Sequence, residues 1–101
     1  MDKQQRILLP QKLRDLVDFD ISKPHALCVE DDKIFFLVEK NQYENQLAVD
    51  CITPDKKGRV FISSTVLEHY GIPEDAEEFI FVQNKRIYIS FVDEWRKRET
   101  T

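Results

Sequence analysis

The chain has 101 residues, 42% of them apolar and 34% charged, with a formal net charge of -4 at pH 7. This length suits one small domain, because such domains bury only about 60–70% of the surface that the unfolded chain exposes. The longest apolar runs are far shorter than the ~18 residues of a membrane span, and MDKQQR followed by four apolar residues is unlike a signal peptide, so we predict a cytoplasmic protein without a membrane partner.

The chain opens with a predicted strand, helix and hairpin. A short aliphatic run at residues 6–9 is typical of a strand, and Pro10 suits the start of a helix that we predict at about residues 11–18. The next two apolar runs, ALCVE and KIFFLV, flank Asp31-Asp32 and predict a hairpin with a two-residue turn. One face of the helix is expected to cover a sheet; its members are Leu9, Leu13, Leu16 and Val17.

A short polar linker, residues 39–46, leads to a second set of the same elements. It contains no glycine or proline, so two freely tumbling domains are not expected. Ser63-Ser64 is typical of a helix start, and the aromatic residues of both hairpins are expected to lie in the core. The predicted elements are strands at residues 47–52 and 59–62, a helix at about 64–70 that stops at Gly71, a hairpin around Asn84-Lys85, and a helical turn at 93–98 around Trp95.

The sequence aligns with itself, without a gap, when it is shifted by 53 positions. DKQQRILLPQKLRDLV, residues 2–17, falls on DKKGRVFISSTVLEHY, residues 55–70. Neither half alone has enough apolar surface to fold convincingly, so we expect the two halves to share one core. The predicted organisation is a single domain over residues 1–101, with repeat one at 2–38, a linker at 39–46, repeat two at 47–91 and a C-terminal tail at 92–101.

Catalytic and metal-binding patterns are absent from the sequence. Cys28 and Cys51 lie in strand-like runs without a Cys-x-x-Cys or clustered His, so we predict buried free thiols. His25 and His69 are expected to be structural or surface residues. No nucleophile and base can be grouped, and there is no phosphate-binding glycine loop. We therefore predict a protein that is not an enzyme and has no cofactor, metal site or small-molecule substrate.

The repeated order of elements, with a D-x-x-x-R loop before one strand of each copy, resembles the AbrB-like swapped-hairpin family of bacterial DNA-binding domains. The tandem arrangement resembles the MraZ family. The motifs are Asp2–Arg6 and Asp55–Arg59, and the second copy adds DKKGRVFIS, HYGI, NKRIYI and Glu94-Trp95 over a match of about residues 2–97. The resemblance implies an α+β, mainly β fold: a swapped-hairpin barrel of two tandem pseudo-symmetric β-α-β-β repeats. It also implies a nucleoid-associated transcriptional regulator that binds double-stranded DNA.

Basic residues are concentrated on these loops although the chain is acidic overall. Arg59 can pair with guanine or phosphate, and the neighbouring lysines can contact phosphates. Gly58 is expected to let the backbone approach DNA closely, and Asp55 to orient Arg59 or cap the turn. The predicted DNA-binding residues are Lys3, Arg6, Lys56, Lys57, Gly58 and Arg59, supported by Asp2 and Asp55.

Two further expectations concern the first copy. Gln5 stands where the second copy has Gly58, so a loop that needs a positive φ is expected to be strained there. The first copy also has no strand corresponding to residues 47–52, so we expect its open edge to be covered by another chain, in a homo-oligomer, or by the tail around Trp95. An alternative function stays open: an antitoxin-like or assembly module that binds another protein through a strand edge or the tail.

Overall fold

The computed structural model describes residues 1–92, and within this range the chain is a small α+β protein, mainly β. The mainly β fold class is therefore confirmed, whereas the helical turn expected at residues 93–98 lies outside the described residues. The elements are β1 (Arg6–Leu8), α1 (Gln11–Leu16), β2 (His25–Asp31), β3 (Ile34–Glu39), a 3-10 turn (Lys40–Gln42), β4 (Ala48–Ile52), β5 (Arg59–Phe61), α2 (Ser64–His69), β6 (Phe79–Gln83) and β7 (Arg86–Ser90).

The strands form two antiparallel sheets within residues 1–92. A two-stranded ribbon joins β1 to β5, and a five-stranded sheet has the order β4-β2-β3-β7-β6. Strand β1 and helix α1 recur 53 positions later as β5 and α2, with identical lengths. In the middle of the large sheet the two hairpins are joined by the pairs Phe35–Ile89 and Phe36–Tyr88.

The ribbon packs its inner side against the five-stranded sheet. Ile7 and Val60 face each other across the ribbon and are fully buried. Alternation along a strand sends neighbouring residues to opposite faces, so each three-residue strand contributes its central residue to the core. The rest of this core cluster comes from both halves: Leu9, Leu27, Phe35, Leu37, Ile52, Ile62, Val66, Leu67, Ile72, Ile87, Ile89 and Phe91.

The second helix and the second hairpin form as predicted. Ser63 Oγ accepts a hydrogen bond from the backbone N–H of Val66 at 3.3 Å, which caps α2, and Gly71 follows the helix with a φ of +65°. The turn residues Asn84 and Lys85 both have positive φ, as a type I′ turn requires. In the first hairpin the turn is shifted by one residue.

The shift has a visible cause. Asp31 pairs directly with Ile34, so the turn is Asp32-Lys33 rather than Asp31-Asp32. A register irregularity between Val29 and Asp31 absorbs the extra residue as a bulge.

Three burial predictions are wrong. Leu16 is 71% exposed and α1 buries none of its residues, whereas α2, which has the same length, buries Val66 and Leu67; the face of α1 is half-buried only at Leu13 and Val17. Cys51 and Phe79 are also exposed, because β4 and β6 are the outermost strands of the large sheet. Cys28, on β2 between β4 and β3, is buried as predicted.

His25 is buried and held in place by its neighbours. Its ring stacks on Phe19, with 4.0 Å between ring centroids, and Nε2 lies 2.7 Å from the carbonyl oxygen of Asp20, to which it donates. This packing fits a structural histidine. Within residues 1–92 there is no helix whose length and apolar character would let it cross a membrane.

Candidate nucleic-acid interface

The second D-x-x-x-R loop is closed by one carboxylate. Asp55 Oδ1 accepts from the backbone N–H groups of Lys57 and Arg59, each at 2.9 Å, and Oδ2 accepts from Arg59 Nε at 2.7 Å. The backbone N–H of Gly58 donates to the carbonyl oxygen of Asp55 at 3.0 Å. Asp55 therefore caps the turn and orients the Arg59 guanidinium with the same side chain.

The first loop has the same hydrogen bonds. Asp2 Oδ1 accepts from the backbone N–H groups of Gln4 at 2.9 Å and Arg6 at 2.8 Å, and Oδ2 accepts from Arg6 Nε at 2.9 Å. In both loops the backbone hydrogen bond from the arginine is the largest cause that lowers the pKa of the aspartate below its ordinary value. The two carboxylates are accordingly ionised at neutral pH.

The fourth residue of each loop has a positive φ. Gln5 has a φ of 61° and Gly58 a φ of 81°, so the glutamine adopts the conformation that glycine adopts in the second loop. The Gln5 side chain forms two hydrogen bonds: Nε2 donates to the carbonyl oxygen of Ile62 at 2.8 Å, and Oε1 accepts from Ser64 Oγ at 3.2 Å. These contacts offset the backbone strain expected at Gln5.

Gly58 lies close to a side chain that the sequence did not indicate. It is buried, and a Cβ built on it would lie 2.7 Å from Cζ of Arg14, a residue of α1. Arg14 Nε donates to the carbonyl oxygen of Leu9 at 2.9 Å, which holds the guanidinium over the glycine. Arg14 therefore occupies the space beside the Gly58 α-carbon. The close approach of DNA to Gly58 that the sequence suggested stays a prediction.

Each loop is also tied to the strand end of the other half. The backbone N–H of Leu9 donates to the carbonyl oxygen of Gly58, and the backbone N–H of Ile62 donates to the carbonyl oxygen of Gln5, both at 2.9 Å. Leu9 and Ile62 are themselves 53 positions apart. The position of each loop therefore depends on the opposite half of the chain.

Both arginines lie on the outer face of the ribbon. Arg6 pairs with Phe61, and Leu8 pairs with Arg59, so alternation places all four on the side opposite the buried Ile7 and Val60. Leu8 is 55% and Phe61 51% exposed, so two large apolar side chains lie on this surface beside the arginines. Arg59 lies two residues, or about 7 Å, along the ribbon from Arg6.

The lysines flank this face at its two ends. Because β1 and β5 are antiparallel, Lys3 lies beyond one end of the ribbon, and Lys56 and Lys57 lie beyond the other; all three are exposed. The structure thus brings the two arginines together but separates the lysines. The two loops hold five basic and two acidic residues, a local formal charge of +3 on a chain of charge -4.

Sequence reasoning missed three residues of this surface. Leu8 and Phe61 stand two positions after the motif arginines, and the alternation of a short strand was a sufficient signal that they share a face with them. Arg14 had no such signal, because its contact with Gly58 joins residues 44 positions apart.

The described part of the chain contains no cluster of three or more His, Cys, Asp or Glu residues placed to hold a metal ion. Comparison with known proteins gave no match to a family model, to a curated protein or to a solved structure.

Proposed function

We propose that this chain is a sequence-selective DNA-binding protein, a transcriptional regulator of the MraZ and AbrB type, that reads double-stranded DNA with the outer face of the β1-β5 ribbon. The observation that carries the proposal is the placement of Arg6 and Arg59 on one exposed ribbon face, each oriented by an aspartate. A two-stranded ribbon fits the major groove of B-DNA, which is about 12 Å wide.

The chemistry of the ribbon face suits base recognition. In both ion pairs the aspartate contacts Nε, so the two Nη groups at the far end of each guanidinium keep N–H donors for another partner. Two Nη donors can pair with O6 and N7 of guanine, or with a phosphate, and the exposed Leu8 and Phe61 side chains can contact thymine methyl groups. Lys3, Lys56 and Lys57 would then lie near phosphates on either side.

A local charge of +3 on an acidic protein favours selective binding. The rest of the surface repels the phosphate backbone, so a site that the ribbon does not fit gains little from electrostatics alone. Binding to unrelated DNA is accordingly expected to be weak. A homo-oligomer would present several ribbons at once and raise the overall affinity.

The architecture that we propose is a tandem swapped-hairpin barrel with a pseudo-twofold axis. Its support is that the ribbon pairing and the crossed hydrogen bonds of Leu9 and Ile62 map onto themselves when residues are exchanged through the 53-residue offset. Each half supplies one strand of the ribbon. A DNA site with approximate twofold symmetry over the few base pairs beneath the ribbon is therefore expected.

The test selects a DNA site from a random pool and measures its binding by fluorescence anisotropy at two salt concentrations. Arg6→Ala and Arg59→Ala should each lose roughly 1–3 kcal/mol of binding free energy for the selected site, and lose its preference over unrelated DNA. Lys57→Ala should weaken binding to all DNA sequences alike, and should reduce the slope of log affinity against log salt concentration by about one unit. Lys40→Ala, an exposed lysine of the linker, is the matched control and should leave both quantities unchanged.

If no DNA is selected, or if Arg59→Ala binds as well as the original chain while its thermal unfolding is unchanged, the regulator proposal fails. The exposed Leu8 and Phe61 favour a second candidate, the protein-interaction module, because apolar side chains beside arginines are typical of protein interfaces. Phe61→Ser would then abolish partner binding, whereas under the DNA proposal it alters preference only at one or two base pairs.

A further inference from the structure

Strand β6 carries an edge that differs from the equivalent edge of the first hairpin. The open edge predicted for the first copy is not found, because β4 pairs with the outer edge of β2; within residues 1–92 it is the outer edge of β6, in the second copy, with which no strand pairs. The effect on burial is clear at residues 53 positions apart. Leu27 of β2 is fully buried while Ile80 of β6 is only partly so, and Ala26 is 6% exposed while Phe79 is 45% exposed.

This edge also lacks the features that keep edge strands apart. Its sequence, FIFVQ, has no charge and no proline, and its pairing with β7 is regular over all five residues. Strand β4, at the other edge, carries Asp50 and pairs with β2 through a register shift between Leu27 and Cys28. Charged residues and irregularities are among the usual protections of an exposed edge, and β4 has both whereas β6 has neither; helix α1 contacts β6 but forms no ladder with it.

The hairpin turn determines which backbone groups of β6 point outward. In a two-residue turn the flanking residues, Gln83 and Arg86, form a hydrogen-bonded pair. Since such pairs alternate along an antiparallel ladder, Phe81 also bonds to β7, while the N–H and C=O groups of Ile80 and Val82 point away from it. A strand added at this edge would bond to Ile80 and Val82.

We propose that the occupant of this edge is β6 of a second copy, paired antiparallel about Phe81, so that the two five-stranded sheets become continuous. With Phe81 opposite Phe81, all five residues of each strand are paired, and Ile80 of one copy exchanges hydrogen bonds with Val82 of the other. Glu77 lies two residues before β6 and Lys85 lies in the turn that follows it, so the Glu77 of each copy lies at the same end of the paired strands as the turn that carries the other copy's Lys85.

The flanks of β6 are complementary in charge over more than this one pair. The segment before the strand carries Glu74, Asp75, Glu77 and Glu78, and the segment after it carries Lys85 and Arg86. An antiparallel self-pairing brings each acidic flank beside a basic one, whereas a parallel pairing would place like charges together. Glu78 binds the N-terminal ammonium of its own chain at 2.6 Å, which leaves the exposed Glu77 as the acidic partner for Lys85.

This association does not depend on DNA binding, because the edge of β6 and the outer face of the ribbon are different surfaces. It deepens the proposed homo-oligomer by assigning it a strand, a direction and a register. The experiment therefore uses DNA-free protein.

The test is sedimentation equilibrium of the full chain over a wide concentration range, with a charge-swap cycle. Glu77→Lys and Lys85→Asp should each raise the dimer dissociation constant about tenfold, since each change places two like-charged pairs across the twofold axis. The double variant should have a dimer dissociation constant within about threefold of that of the original chain. Aspartate is chosen at position 85 because it tolerates the positive φ of that residue, and Glu74→Lys is the control for net charge alone.

Amide hydrogen exchange gives a second measurement that no folding defect can imitate. The Ile80 and Val82 amides should become protected as protein concentration rises, whereas the Phe81 amide should be protected at all concentrations. The proposal is overturned if the chain is a monomer at high micromolar concentration, or if the double variant dimerises no more tightly than the single variants. Concentration-independent protection of Val82 also overturns it, because this would show that the edge is covered within a single chain.

Discussion

Gly58→Ala is expected to destabilise the fold by about 2–3 kcal/mol, from two sources. For a residue with a Cβ, the left-handed conformation of Gly58, at a φ of +81°, costs about 1–2 kcal/mol of conformational free energy. The new Cβ would also lie 2.7 Å from Arg14 Cζ, so the guanidinium must move and give up its hydrogen bond to Leu9. A charged hydrogen bond at a half-buried site contributes about 1 kcal/mol.

Gly71→Ala is a matched control for the conformational part of this free-energy cost. Gly71 has a φ of +65°, and a Cβ at that position would meet nothing within 4 Å, so Gly71→Ala should cost only the conformational 1–2 kcal/mol. The difference between the two variants isolates the displacement of Arg14. In a double-mutant cycle, Gly58→Ala in an Arg14→Ala background should cost about 1 kcal/mol less than in the original chain.

Urea denaturation followed by far-UV circular dichroism measures these differences, and thermal melts give a check of about 4–8 °C per kcal/mol for a domain of this size. If Gly58→Ala costs no more than Gly71→Ala, or if the cycle is additive within about 0.5 kcal/mol, Arg14 does not hold the second loop in place and the reasoning is refuted.

Three further outcomes are expected. The pKa of Asp55 is lowered in the folded chain, so its stabilising effect is present above about pH 4 and is lost as pH falls through the folded value; Asp55→Asn should flatten acid unfolding there. Cys51 is exposed and should react with a thiol reagent at once, whereas Cys28, whose pKa is raised mainly by burial, should react only as the protein unfolds. Ser63→Ala should lower stability by about 1 kcal/mol through loss of the α2 cap, while Thr65→Ala, at an exposed position of the same turn, should have little effect.

Much of the fold was predictable because the repeated pattern constrained each element twice. The strand at residues 6–9 is brief and ambiguous alone, and its recurrence 53 positions later supports the same interpretation in both places. The two D-x-x-x-R loops were predictable for the same reason, since Asp and Arg at a fixed spacing describe a local turn whose hydrogen bonds join neighbours in sequence.

The errors arose where the answer depends on the order of strands in space. An apolar run such as FIFVQ has the same pattern at the centre and at the edge of a sheet, so its exposure at Phe79 could not be predicted before the strand order was known. Cys51 on β4 is the same case. Arg14 shows a different limit, because a contact between a helix and a distant loop leaves no periodic trace in either segment.

The crossed hydrogen bonds of Leu9 and Ile62 have a consequence for the rate of folding. The two hairpins are local and can form within microseconds, but the ribbon and the β3-β7 pairing each join residues about 53 positions apart. The ribbon must close before either loop gains its crossed hydrogen bond, and with two such long-range closures a high contact order and a single cooperative barrier are expected. Shortening the linker at residues 39–46 would change the folding rate more than the unfolding rate, provided that the closure is complete in the transition state.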